Sequence, residues 1–199
     1  MEKHDFFNDM AAAWDTTNHY DTDKIELMLK LLYIKNGDAV LDVGTGTGVL
    51  IPFLLKFTGT ICAIDSAEKM IEAARKKHAH TKVNFVHGDI MEYPFEDASF
   101  DHIICYSVFP HFDDKRRTIA HLAKKLKPGG LLSVLHSSSK EKINGVHVHV
   151  HNRDIMADIL PPARGLIACA QDCGLREEII IDNAEMYLFG ARKKWQTLR

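Results

Sequence analysis

Residues Val40 to Gly48 read VLDVGTGTG, an apolar run followed at once by three glycines at alternate positions. The run has the composition of a buried strand, and the glycines follow at its end. Glycine lacks a Cβ, so Gly44, Gly46 and Gly48 can adopt positive φ and let a ligand lie close to the backbone. Three glycines in five residues also increase the conformational entropy lost on folding, which a plain β-to-α turn would not require. The loop is therefore expected to cradle a cofactor. Its spacing is G-x-G-x-G, whereas the dinucleotide fingerprint is G-x-G-x-x-G, with the third glycine one residue later to pack helix on strand. That difference counts against an NAD-binding oxidoreductase, which stays open as a rival.

With 199 residues, 46% hydrophobic and 26% charged, the chain suits one α/β domain with a full core. No stretch approaches the roughly 18 apolar residues of a membrane span. The start, MEKHDFFNDM, has no apolar core followed by a small-residue cleavage site, so a soluble, cytoplasmic protein with no membrane partner is expected. A net charge of −2 gives no electrostatic reason for a nucleic-acid partner. The cationic clusters 75–77, 124–125 and 192–194 read as solvated faces. The four cysteines show no C-x-x-C pair, and Cys62 and Cys105 read as small buried hydrophobes.

Turn signals punctuate the chain at short intervals and divide it into alternating elements. A short amphipathic helix over 5–17 carries Phe6, Phe7, Met10 and Trp14, and a second helix runs from Asp23 to about Ile34. Strands are expected at 39–43, 60–64, 83–87, 102–106 and 131–136. Helices are expected at 49–57, 66–80 with Ser66 as N-cap, and 113–126, the last stopped by Lys127-Pro128-Gly129-Gly130. A helix over about 162–173 and an antiparallel pair, 175–181 with 186–191, close the chain. Such alternation predicts a largely parallel sheet covered on both faces, with ligands bound outside the carboxyl ends of the strands. Along the chain this gives N-terminal cap helices (1–35), a cofactor-binding core (36–136), an insertion shaping the substrate pocket (137–160) and a closing helix and strands (161–199).

The candidate site residues fall at those carboxyl ends. Asp65, about twenty residues past the glycines, can accept two hydrogen bonds from vicinal ribose hydroxyls, or it can serve only as an acid at a helix N-terminus. Asp89 can accept from an adenine amino group with Ile90 against the ring, or it is only a turn aspartate.

The segments VLDVGTGTG, AIDSAEKM, GDIMEYPFEDASFDHIICYSVFPHF and LKPGGLLSVLH resemble, in order and spacing, those of class I S-adenosylmethionine-dependent methyltransferases of the ubiquinone/menaquinone type. The resemblance covers about residues 39–136. It implies a Rossmann-like fold with a mostly parallel seven-stranded sheet, helices on both faces and an antiparallel last strand. It implies S-adenosyl-L-methionine as cofactor, with Asp42, Gly44, Gly46 and Gly48 around the methionine moiety, Asp65 at the ribose, and Thr45, Ser66 and Met70 also among the cofactor-binding residues. Asp89 and Ile90 would then lie at the adenine, and Tyr106 and Ser107 at the sulfonium. FFNDMAAAWD resembles the cap helix of such enzymes, which makes Phe7, Met10 and Trp14 elements of a lid, although an apolar helical stripe is also what plain core looks like.

Past residue 136 the chain departs from the familiar members and is rich in histidine: six of its twelve lie between His111 and His151. His111 and His136 follow strand ends and are expected at the active-site mouth, as general bases or acceptor-binding groups, His111 first. In SSSKEKINGVHVHVH, Ser138 and Glu141 form a capping box that favours a helix, in which His147 and His151 share a face; the alternating V-H pattern favours a strand instead. Either way His111, His136, His147 and His151 could supply a divalent-metal site. Three readings follow: methyl transfer to a small-molecule acceptor, a metal-assisted methyltransferase or metal-handling protein, and the NAD-binding oxidoreductase. Neither the acceptor nor the oligomeric state is encoded legibly.

Overall fold

The computed structural model describes residues 3–148 and 153–195. Their strands are β1 (Val40–Val43), β2 (Ile61–Asp65), β3 (Asn84–His87), β4 (Phe100–Tyr106), β5 (Leu126–His136), β6 (Leu175–Asp182) and β7 (Tyr187–Lys193). They form one seven-stranded sheet in the order β3-β2-β1-β4-β5-β7-β6. β1 to β5 pair in parallel, while β7 runs antiparallel to both β5 and β6. This is the Rossmann-like class I arrangement expected from the sequence.

Every residue of β1 is buried, and the apolar runs of β4 and β5 are nearly so, as a sheet covered on both faces requires. The strand alternation sorts the core into two layers. Leu41, Val43, Ile103 and Cys105 pack on one face, and Val40, Ile104 and Tyr106 on the other.

The helices are α1 (Lys3–Met10), α2 (Trp14–Thr17), α3 (Thr22–Leu31), α4 (Ile51–Leu54), α5 (Glu68–Lys77), α6 (Lys115–Lys125), α7 (Lys140–Val148), α8 (Arg153–Met156) and α9 (Ile167–Asp172). Among the described residues Asp21 caps α3, Asp114 caps α6 and Ser139 caps α7, each side chain accepting from the backbone N–H three residues on.

Several local expectations are corrected. The helix expected over 49–57 shrinks to α4, because the glycine loop continues as turns to Leu50. Ser66 does not cap α5; the helix starts after Ala67, whose N–H donates to Asp65 Oδ1 at 2.9 Å. The capping serine of α7 is Ser139, which accepts from Lys142 N at 3.2 Å, in place of Ser138. The helical reading of this stretch holds through Val148. β5 begins five residues early and runs through the Lys-Pro-Gly-Gly segment, pairing Leu126 with Phe100 across a register shift.

Chain order and sheet order together locate the crevice. From β1 the chain moves outward to β2 and β3, then returns to β4 on the other side and continues to β5. Strand order therefore reverses between β1 and β4, and their carboxyl ends splay apart there. The glycine loop leaves β1 at this point, and residues 107–112 leave β4.

Candidate active site

A cleft of about 1390 Å³ opens at that switch point. One small ligand occupies a pocket of about 300–1,000 Å³, so the cleft has room for a cofactor and an acceptor together. Nine of the residues expected at the site line it: Gly44, Gly46, Asp65, Ser66, Met70, Asp89, Ile90, Ser107 and His111.

The three glycines have different tasks. All take positive φ, +67° at Gly44, +56° at Gly46 and +80° at Gly48. A Cβ on Gly44 would lie 2.3 Å from Val108 Cγ2, so this glycine lets the β1 and β4 loops pack on one another. A Cβ on Gly48 would meet the His78 ring at 2.8 Å. On Gly46 the nearest atom is 3.9 Å away, Nε1 of Trp14. Only at Gly46 would a side chain enter space that the protein leaves for something else.

Asp65 braces that glycine. Its Oδ2 accepts from Gly46 N at 2.8 Å, while Oδ1 accepts from Ala67 N. Burial pushes the carboxyl above its ordinary pKa, against the pull of the Ala67 and Gly46 N–H groups. Each carboxylate oxygen has two lone-pair sites, so the group can hold the loop and still accept from a diol in the cleft. Asp89 is a turn aspartate whose Oδ1 accepts from Met91 N at 2.8 Å, and it faces the cleft as well. Ser107 takes φ +55°, a left-handed conformation that a non-glycine residue adopts at some cost, and it does so at the cleft wall.

Four expected cofactor residues stand behind the wall. Asp42 and Thr45 are buried and bonded to each other, Thr45 Oγ1 donating to Asp42 Oδ2 at 2.7 Å. Gly48 faces His78. Tyr106 points to the opposite sheet face, its hydroxyl 2.9 Å from Ser137 Oγ, because strand alternation gives the cleft to Ser107.

Burial, reinforced by the charge of Asp65, pushes the Asp42 carboxyl from an ordinary 3.8 up to about 7 even though Thr45 donates to it. A raised folded-state value means that the native protein holds a proton which the unfolded chain releases, so stability falls as pH rises from about 4 to about 7 and then levels. Asp42→Asn keeps an acceptor for Thr45 and removes the ionisation. Its gain in urea midpoint over the wild type is expected to be small at pH 4, to grow up to pH 7 and to stay flat beyond. A gain independent of pH would show that the native carboxyl is not perturbed.

α1 and α2 lie across the cleft. Phe7 and Trp14 pack with Ala11, Ala67 and Met70, and their rings meet edge-on with centroids 5.8 Å apart. Polar contacts fix both ends of this cover: Thr47 of the glycine loop and Lys77 both donate to Asp15, and Lys3 donates to the His111 carbonyl. Met10 does not line the cleft.

His111, at the end of the 3-10 turn Phe109–His111, meets the Phe7 ring edge-on at 5.1 Å, and its Nδ1 lies 2.6 Å from Asp158 Oδ2. Lys3 Nζ donates to Asp158 Oδ1 at 2.7 Å, to Asp113 Oδ1 and to the His111 carbonyl. Burial alone would raise the Asp158 carboxyl, but the hydrogen bonds from His111 and Lys3 and their charges hold it below its usual value. Sequence reasoning missed Lys3 and Asp158, which lie 108 and 47 residues from His111.

His136 is not at the mouth. β7 lies directly against β5 and sets Tyr187 opposite His136, burying the imidazole against that ring at 5.9 Å. His151 lies outside the described residues, and His147 falls in α7 with its side chain likewise not described. Among the described residues, no group of three His, Cys, Asp or Glu side chains is placed to hold a metal ion. None of the described helices is long and apolar enough to cross a membrane.

The sheet order and the cleft define a class I S-adenosylmethionine-dependent methyltransferase fold. Residues 41–134 match the family model described as a methyltransferase domain. The demethylmenaquinone methyltransferase of Staphylococcus saprophyticus is 29% identical over 144 residues, covering 68% of this chain and 62% of that protein. The malonyl-[acyl-carrier protein] O-methyltransferase of Halalkalibacterium halodurans is 35% identical, covering 66% of this chain and 52% of that protein. The alignments thus span only 52–62% of these relatives' own length. A SAM-dependent methyltransferase from Aquifex aeolicus shares the fold at a TM-score of 0.71, with 22% identity over 92% of this chain and 96% of that one. Residues 41–134 thus carry a methyltransferase domain, within a chain that has the class I S-adenosylmethionine-dependent methyltransferase fold.

Proposed function

We propose that this chain transfers a methyl group from S-adenosylmethionine to a small-molecule acceptor in the cytoplasm. The observation that carries the proposal is the single open position on the glycine loop: Gly46 faces a cleft large enough for two ligands, braced by a carboxylate that can also bind a ribose diol. Gly46, Asp65 and Asp89 would hold the cofactor, with Ile90 and Met70 against its apolar parts. When bound, the cofactor would supply a methyl carbon activated by its attachment to cationic sulfur, open to an acceptor's lone pair. The protein's own work is alignment, exclusion of water by α1 and α2, and removal of a proton where the attacking atom carries one. His111, which lines the cleft beside the cover, would take that proton. The names of the relatives suggest hydroquinone or carboxyl acceptors as the first classes to try.

Calorimetry is expected to show binding of S-adenosylhomocysteine and much weaker binding of NAD; the reverse order would favour the oxidoreductase. Transfer of labelled methyl to 1,4-naphthohydroquinone or a malonyl thioester then tests the activity. His111→Ala should lower the rate about 10²–10⁴-fold, the usual contribution of a positioned base, with cofactor affinity unchanged.

A further inference from the structure

We infer that Asp158 is a positioning residue that fixes the tautomer of His111, and that Lys3, carried on the cover helix α1, fixes the orientation of Asp158. The inference rests on the reading of His111 as the acceptor-side base. A neutral imidazole carries one proton, and the hydrogen bond at one ring nitrogen determines the role of the other. An ionised carboxylate can only accept. With Asp158 held in its ionised form and its Oδ2 at 2.6 Å from Nδ1, the ring proton sits on Nδ1 and the lone pair on Nε2. Nε2, the nitrogen that Asp158 does not engage, is the one that receives a proton from an acceptor. The Nδ1 proton stays in place, and the imidazolium so formed is balanced by the Asp158 charge.

The role of Lys3 follows from which oxygen it occupies. Its ammonium donates to Oδ1 while His111 uses Oδ2, so each oxygen of this nearly buried carboxylate has its own donor. Lys3 also donates to the His111 backbone carbonyl, which ties the cover, the histidine and its carboxylate into one unit. The Phe7 ring against His111 limits rotation of the imidazole from the cover side.

This arrangement makes the most conservative substitution the most damaging. In Asp158→Asn, Lys3 can bond only the amide oxygen, which turns the amide NH₂ toward His111 Nδ1. Two donors cannot face each other, so the ring proton moves to Nε2 and the base is lost. Releasing the amide by the double substitution Lys3→Ala with Asp158→Asn lets it flip and present its oxygen again.

The test is nitrogen NMR of histidine-labelled protein, at a pH where the ring is neutral, with the His111 signals assigned by their loss in His111→Gln. The expected result is an Nδ1–H ring in the wild type, an Nε2–H ring in Asp158→Asn, and recovery of Nδ1–H population in the double variant. Methyl transfer should fall by up to about 10⁴-fold in Asp158→Asn, the scale seen when a histidine is held in the wrong tautomer. An Nε2–H ring in the wild type, or a tautomer that Asp158→Asn leaves unchanged, would overturn the inference. Calorimetry with S-adenosylhomocysteine on the same samples separates the two levels: wild-type protein that fails to bind it refutes the proposed function and leaves the tautomer result standing on its own.

Discussion

Gly46→Val should abolish binding of S-adenosylmethionine and S-adenosylhomocysteine while the protein still folds. Two effects act together. At φ +56° any L-residue is strained, by roughly 1–2 kcal/mol, and a β-branched residue is worse placed than most. The added Cβ then projects into the cleft, where the nearest protein atom, Trp14 Nε1, is 3.9 Å away, an ordinary van der Waals distance. The clash is therefore with the ligand, and calorimetry should show no binding at concentrations that saturate the wild type. Gly44→Val is the contrast, since its Cβ would lie 2.3 Å from the Val108 side chain and must force the β1 and β4 loops apart, lowering thermal stability. Undiminished affinity in a folded Gly46→Val protein would mean that the cofactor does not pass over this loop.

The difference between these glycines was not legible in the sequence, although the loop itself was. Alternating elements and an apolar run ending in glycines are local signals, and they gave β1, the switch point and the cleft side of the sheet. What a missing Cβ makes room for depends on Val108 and His78, which are brought in from β4 and α5 by the fold. The same limit explains the histidines. A strand end places a residue near the mouth, but its neighbouring strand decides whether the side chain is covered: β7 closes over His136, while the 3-10 turn after β4 leaves His111 on the cleft. Tyr106 and Ser107 divide by the pleat, one residue to each face. Asp158 carries no local mark, since Lys3 and His111, which bond it, lie 155 and 47 residues away. Ser139 was a nearer miss, one residue from the capping serine that the S-x-x-E pattern selects.

Asp65→Ala should lower cofactor affinity by about ten- to a hundredfold, the 1–3 kcal/mol scale of charge-assisted hydrogen bonds, and leave the fold intact. The sharper expectation concerns Asp65→Asn, which simple ribose recognition would make the milder change because an amide still offers one oxygen. Here both carboxylate oxygens already accept from backbone N–H groups, Oδ2 from Gly46 and Oδ1 from Ala67. An asparagine must set its NH₂ against one of those donors. Against Gly46 it would push the glycine loop off its position at the cleft floor; against Ala67 it would disturb the start of α5. Alanine imposes neither repulsion, and water can satisfy the two N–H groups at a wall that already faces the cleft. Asparagine is therefore expected to bind S-adenosylhomocysteine no better than alanine, and to melt at a lower temperature without ligand. An asparagine variant near wild-type affinity would show that Asp65 serves the ribose alone and that the brace on Gly46 is dispensable.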